Sequence, residues 1–233
     1  MFSIQLKESL LHLLFPHLCE GCGFSGLNPD QYLCLQCYLK LPETLFFNYN
    51  NNPVERIFFG RLKSENSGAL YYFTKGSLIQ KLMHEFKYKH NEQLGSFLGR
   101  IMANSIKSSG RFTEIEFVIP VPLHVKKQQK RGFNQAAVLA RAIGKVLNVP
   151  VIENAITKNE DSGSQTKKNR IERWENVEGK YEIVNIEILK GKNILLIDDV
   201  ITTGATIESC GKTLLTIDGL TLNLAALCFA SGN

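Results

Sequence analysis

The sequence predicts an α/β protein: a parallel sheet flanked by helices, with a small N-terminal module held by four cysteines. Three observations lead there. Apolar runs of strand length alternate with helical patterns from about residue 94 onward, an order that gives a parallel sheet covered on both faces. Two C-x2-C pairs stand near the N-terminus, at Cys19/Cys22 and Cys34/Cys37. One apolar run, Asn193–Ile197, ends in two adjacent acids, Asp198 and Asp199, followed by a Thr/Gly turn.

Composition narrows the class. The chain has 233 residues, 44% hydrophobic and 21% charged, enough apolar material to offset chain entropy and exclude disorder as the main state. Its longest apolar stretches, such as 224–230, fall far short of the ~20 residues a bilayer requires, so no membrane insertion is expected. Lys7, Glu8 and His12 interrupt the first apolar residues and no small-residue cleavage site follows, which is unlike a signal peptide and points to the cytoplasm. The net charge of +5 suits an anionic ligand or nucleic acid and decides neither.

The elements follow in order. Phe2, Leu6, Leu10, Leu13 and Leu14 recur near helical spacing, giving an amphipathic opening helix over 2–15 that Pro16 stops. Helix and cysteine module together span 1–45. A connector over 46–75 includes the Asn-rich stretch Asn48–Asn52, and an α/β domain fills 76–233. The patterns give a strand at Ala69–Phe73 and helices at Leu78–Phe86 and Leu94–Ile106. A strand at Phe117–Val121 then leads through a long loop, Leu123–Phe133, into a helix at Asn134–Leu147. Strands are expected at Val149–Ile156, Tyr181–Val184, Asn193–Ile197 and Thr221–Phe229, with a polar stretch at 158–176 and a helix at Ala205–Ile217.

Two C-x2-C hairpins can each grip one side of a tetrahedral ion. In a reducing compartment, paired thiols are more often metal ligands than disulfides. Cys19, Cys22, Cys34 and Cys37 are therefore read as a closed, structural Zn2+ site, though an all-thiolate tetrahedron suits iron as well. Gly21-Cys-Gly23-Phe-Ser-Gly26 matches G-x-G-x-x-G, but no strand precedes it, so a dinucleotide site fails its context. Cys210 and Cys228 stand alone and read as small buried hydrophobes.

The segment from Asn193 to Thr206 carries the most chemistry. Ligands of open α/β sheets bind beyond the carboxyl ends of the strands, where Asp198 and Asp199 would project and accept hydrogen bonds from vicinal sugar hydroxyls. The turn adds backbone N–H groups, the hydroxyls of Thr202, Thr203 and Thr206, and a helix N-terminus, a cradle for a phosphate. Gly204 lets the backbone approach closely. An ordinary strand, turn and helix could use Asp199 and the threonines merely as caps. A second loop, His124 to Gln135, carries Lys126, Lys127, Lys130 and Arg131 with no acid, ahead of a helix N-terminus; it suits pyrophosphate, or is a solvated basic turn.

The apolar run, the acid pair and T-T-G-x-T together resemble the phosphoribosyl-pyrophosphate (PRPP) motif of type I phosphoribosyltransferases. P-V-P-L-H, then R-G-F-N-Q-A, then the Asp-Asp loop, behind a four-cysteine module, resemble the ComF family and its GntX-like members end to end. Gln165, Arg173, Asn176, Gly179 and Tyr181 match that family's pattern after the second core strand, in what the fold uses as a mobile loop over PRPP. Lys158 and Ser162 depart from it, standing where Arg and Thr are usual. Phe86-Lys87-Tyr88-Lys89 is similar to the family's K-[FY] element, which implies a contribution to an anionic cleft; basic residues at a helix end complement the dipole equally well.

The resemblance implies a phosphoribosyltransferase that transfers or processes the ribose 5-phosphate unit of PRPP, with Mg2+ carried mainly by PRPP oxygens, and pyrophosphate leaving. Asp198 and Asp199 would hold the ribose hydroxyls. Thr202, Thr203, Gly204, Ala205 and Thr206 would hold the 5′-phosphate, and Lys127, Lys130, Arg131 and Gly132 the pyrophosphate, with Gln165 and Arg173 excluding water. Of these, Asp198, Asp199, Arg131 and Lys130 are the implied catalytic residues. In relatives acting on hypoxanthine or guanine an Asp usually stands at the position of Thr202, so no such activity is expected here. The acceptor stays open.

A second reading makes the chain a non-catalytic competence factor that binds PRPP or single-stranded DNA. The basic loop and residues 158–180, with six Lys/Arg against five Asp/Glu, would meet phosphates. Phe133 and Trp174 are the aromatic residues available there for stacking, and packing explains them equally. A third gives the four-cysteine module a docking role toward a partner such as a competence-machinery protein.

Overall fold

The computed structural model describes residues 17–28, 30–158 and 181–230, with the backbone alone at 125–127. The expected opening helix, Gln165, Arg173 and Trp174 lie outside the described residues. Their order is α1 Leu35–Leu39, α2 Pro53–Phe58, β1 Ser67–Tyr72, α3 Leu78–Tyr88, α4 Glu92–Ser109, β2 Phe117–Pro120, α5 Val125–Arg131 and α6 Gln135–Leu147. Then come β3 Ile156–Lys158, β4 Tyr181–Ile183, β5 Asn193–Ile201, α7 Ala205–Leu214 and β6 Thr221–Phe229.

The main sheet is four-stranded and parallel in the order β1-β6-β5-β2. Each central strand alternates its apolar residues between two cores. Leu195 and Ile197 of β5, with Ala225 and Leu227 of β6, pack under α3, α4 and α6 through Leu82, Phe86, Leu98, Met102, Leu139 and Ile143. Ile194 and Leu196, with Leu224 and Ala226, pack against α2 and α7 through Val54, Phe58, Ile207 and Leu214. A helix on each face is what makes near-continuous apolar strands soluble.

Local signals bound the helices. Asn52, Ser77, Asn91 and Asn134 each accept first-turn N–H bonds through their side chains. Gly110, at φ 66°, takes the left-handed turn after α4.

Four expectations change. Residues 46–75, expected as a connector with a strand at Ala69–Phe73, form that strand as the edge strand β1 but also supply α2 and bury Phe46, Phe47, Val54 and Phe58; their polar side chains serve turns and caps, as Asn52 does with bonds to the Phe46 and Ser67 carbonyls. The loop 123–133 contains α5, since nothing between His124 and Arg131 breaks a helix, and Gly132 at φ 77° ends it. The strand expected over Val149–Ile156 is only a parallel bridge, Val151 to Val118. The chain turns at 153–154, and β3 pairs antiparallel with β4 in a separate ribbon. Finally, β5 does not stop at Ile197 but runs to Ile201, because β6 continues beside it, with Asp198 opposite Ala226 and Ile201 opposite Phe229.

The cysteine module packs on the helices of the first core. Tyr32 donates to Gln93 Oε1 at 3.0 Å and stacks on Phe97, ring centroids 5.5 Å apart. Lys81 Nζ donates to the Gly21 carbonyl at 2.7 Å. No helix among the described residues is long and apolar enough to cross a membrane.

Candidate functional site: an acidic strand end facing a basic helix

The cleft begins where a strand loses one neighbour. β2 pairs with β5 only as far as Pro120 opposite Ile197, with one further bond from Val121 N–H to the Ile197 carbonyl. Beyond it, Pro122 lacks an N–H to continue the ladder, β2 turns away, and β5 goes on alone beside β6. Asp198 and Asp199 are the first residues past that point. They line a cleft of about 400 Å3 together with Lys87, His124, Arg131, Lys158, Tyr181, Thr202 and Thr206.

The alternation of β5 sends the two acids to opposite sides. Asp199 lies on the face of α3, where Lys87 Nζ is 2.8 Å from its Oδ2. Asp198 lies on the face of β4 and α7. Its carboxylate accepts the Asp199 N–H at 2.8 Å. Burial and the neighbouring Asp199 charge together push Asp198 up to about 7, against the pull of that N–H, Lys87 and Arg131. Burial likewise raises the Tyr181 hydroxyl and pushes the Cys210 thiol up to about 12, and the Asp198 charge adds to both.

The turn after β5 meets α2. Gly204 caps α7 at φ 75°, and a Cβ there would come within 2.8 Å of Phe58. The first-turn N–H groups of α7 lack intrahelical partners and no side chain caps them from Gly204. Arg61 holds the turn from outside, donating to the Thr203 carbonyl at 3.2 Å and pairing with Glu208 of α7. Thr202 and Thr206 line the cleft; Thr203 is exposed, and its hydroxyl accepts the Ala205 N–H at 3.4 Å.

The opposite wall is the end of α5. Arg131 donates to Gln135 at 2.8 Å, and its guanidinium lies 5.6 Å from the Tyr88 ring centre, a cation–π support. Gly132 is pressed against His90, which a Cβ would approach to 2.9 Å. Phe133 is buried against Phe86 and is a packing residue. Lys130 is exposed and does not line the cleft. Only the backbone of Lys127 is described.

Of the residues expected at the site, the structure thus brings Asp198, Asp199, Thr202, Thr206 and Arg131 to one cleft, with Gly204, Ala205 and Gly132 shaping its rims. Lys87 and Tyr88 belong to the segment whose resemblance implied a contribution to the cleft; Arg61 was not expected at the site. Nothing in the spacing pointed to Arg61, whose partners lie far away in sequence.

The second site is the cysteine cluster. All four ligand atoms lie within 4.8 Å of one another, and the Cys22 and Cys34 sulfurs are 3.7 Å apart. Zn–S bonds of about 2.3 Å in a tetrahedron put sulfurs about 3.8 Å from each other, so the cluster fits zinc. The cysteines are free thiols rather than disulfides. Burial works against ionisation of Cys19, but N–H groups of Cys34, Cys22 and Gly21 and the Cys37 thiol outweigh it and hold Cys19 near 6. Burial pushes Cys37 up to about 12, with the three neighbouring cysteines adding to it. Four such sulfurs would leave a bound ion no open position.

Comparison with known proteins fits this geometry. Residues 129–232 match the phosphoribosyl transferase domain, a segment that takes in Arg131, both aspartates and the turn into α7. Competence protein F of Haemophilus influenzae is 27% identical over 137 residues, 57% of this chain and 60% of that protein; the chain thus spans less than two thirds of its length. Competence protein ComFC of Bacillus subtilis is 28% identical over 211 residues, 81% of this chain and 80% of that one. DNA utilization protein YhgH of Salmonella typhimurium is 24% identical over 215 residues, 91% and 83% of the two chains. Among solved structures, glutamine PRPP amidotransferase from B. subtilis superposes with a TM-score of 0.44 at 18% identity, over 61% of this chain and 30% of that one. The matched segment contains the acidic and the basic wall alike, and the longer matches extend well beyond it, so the chain carries a phosphoribosyl transferase domain over residues 129–232 and is similar to competence and DNA utilization proteins over most of its length.

Proposed function

We propose that the chain binds PRPP in this cleft and transfers its ribose 5-phosphate unit to an acceptor. One observation carries the reading: two carboxylates towards the end of β5 stand beside the N-terminus of α7 and face Arg131 across about 400 Å3. Each part suits one part of PRPP. Asp198 and Asp199 accept the ribose hydroxyls, residues 202–206 take the 5′-phosphate, and Arg131 takes the pyrophosphate, with Lys127 and Gly132 of the same segment and Gln165 and Arg173 as further members.

In the reaction, a lone pair of the acceptor forms a bond to C1 of the ribose while the C1–O bond to pyrophosphate breaks and its electron pair leaves with pyrophosphate. The ribosyl centre becomes cationic on the way, so carboxylates beneath it and cations at the leaving group act by charge and position. Mg2+ would neutralise pyrophosphate charge. Among the described residues the cysteines are the one grouping of three or more ligand side chains, so the reading has Mg2+ arrive on the oxygens of PRPP. Zinc in the four-cysteine site would staple the module against α3 and α4.

The names of the relatives, competence protein and DNA utilization protein, support a role in competence and DNA uptake. Lys130, exposed and outside the cleft, favours a second reading in which α5 also meets single-stranded DNA or the chain binds without chemistry. The test is PRPP-dependent pyrophosphate release measured across bases, amines and oligonucleotides, with calorimetric binding of PRPP and Mg2+ to the wild type and to Asp198→Asn/Asp199→Asn. Unchanged binding in the double variant would remove the ribose assignment. PRPP binding without turnover on any acceptor, together with salt-sensitive oligonucleotide binding, would favour the second reading.

A further inference from the structure

Lys87 lies in the last turn of α3, outside the matched segment 129–232. Its ammonium and the Asp199 carboxylate are 2.8 Å apart, with the two side chains only 17% and 16% exposed. A pair so far removed from water loses hydration on both partners, and here it forms part of the wall of a polar cleft instead of filling a core. Asp199 is one of the two carboxylates read as accepting ribose hydroxyls, so such a ligand and the ammonium compete for the same oxygens. Lys87 also lines the same cleft as Arg131, and the next residue, Tyr88, supports the Arg131 guanidinium. One short stretch of α3 therefore touches the acid wall directly and the basic wall through a ring.

We propose that Lys87 has two positions: it neutralises Asp199 while the cleft is empty, and it passes to the diphosphate of a bound ribosyl diphosphate once the sugar hydroxyls replace it at Asp199. This rests on the PRPP reading above. A lysine suits the exchange because its ammonium is a point charge on a flexible four-carbon stem. The exchange also keeps both carboxylates available to the sugar only when a diphosphate is present to receive the ammonium, which would discriminate PRPP from ribose 5-phosphate.

The test measures binding of three probes, PRPP, pyrophosphate and ribose 5-phosphate, each with Mg2+, to the full chain and its Lys87→Met and Lys87→Arg variants. The expected result is PRPP and pyrophosphate weakened about tenfold or more in Lys87→Met, ribose 5-phosphate unchanged or tighter, and partial recovery of the first two in Lys87→Arg. Equal weakening of all three probes would make Lys87 a structural brace and overturn the proposal, as would unchanged PRPP and pyrophosphate affinity. Circular dichroism and a thermal melt identify an unfolded Lys87→Met, in which case the Lys87→Arg ratios between probes decide. Failure of the wild type itself to bind PRPP would overturn the cleft reading, an outcome distinct from a variant that binds all probes alike.

Discussion

Asp198 accepts the backbone N–H of Asp199 at 2.8 Å, while Asp199 spends its own carboxylate on Lys87. Two neighbouring residues of the same type thus have opposite electrostatic settings: one carries a cation, the other is pushed up to about 7 by burial and by its neighbour.

Replacing each acid therefore has opposite consequences for the empty protein. Asp199→Asn leaves the Lys87 ammonium largely buried without a counter-charge and is expected to lower stability by about 1–3 kcal/mol. Asp198→Asn removes a charge that its surroundings disfavour and is expected to leave stability equal or higher. Urea denaturation of both variants checks the contrast, and equal losses would contradict the assignment of Lys87 to Asp199 alone.

The same setting gives a pH dependence. The folded-state value of Asp198, about 7, lies above its ordinary 3.8, so between these values the native chain binds more protons than the unfolded one. The stabilisation from this group is complete below about 4 and is lost as pH rises through 7. Glu116 and Glu208, lowered by Lys192 and by Lys212 with Arg61 against their burial, act in the opposite sense, losing their contribution as pH falls. Comparing wild type with Asp198→Asn by denaturation at pH 5 and pH 7.5 isolates the first effect; the gap between them should change in favour of the variant at the higher pH.

Gly204 tests how tightly the turn is held. Gly204→Ala places a Cβ at φ 75° and 2.8 Å from Phe58, costing about 1–3 kcal/mol of stability. It should also weaken binding of phosphate-bearing ligands. Arg61→Ala, at a side chain 42% exposed, should cost less than about 1 kcal/mol while loosening the same ligands. A thermal melt and PRPP titration of both variants separate the two effects.

Metal analysis of the purified chain is expected to find one zinc per molecule. Cys22→Ser or Cys34→Ser should lose it together with thermal stability, and strong chelators should lower the wild-type melting temperature. Cys210→Ser, buried in the second core away from the cluster, should keep its zinc.

Thr202 lines the cleft and cannot accept a proton at neutral pH. No turnover of PRPP with hypoxanthine or guanine is expected. Steady pyrophosphate release with either base would refute the acceptor argument.

What the sequence by itself determined was local: the two C-x2-C pairs, the apolar strand that leads into Asp198-Asp199, and the Thr/Gly turn into a helix. These are legible because cysteine spacing, strand hydrophobicity and turn chemistry act over a few residues. The tertiary structure alone decided the rest. Residues 46–75 look like a connector because of their Asn-rich start, yet α2 forms within them and Arg61 reaches the turn at Thr203. β5 runs past its acids because β6 accompanies it, a fact of another strand's length. Lys87 meets Asp199 because α3 lies on the side of the sheet to which the alternation of β5 sends Asp199, and no periodicity in either segment encodes that meeting. Strand pairing and ion pairing between distant segments depend on the whole packed arrangement, so the acidic wall could be read from the sequence while the pairing of Lys87 with Asp199 could not.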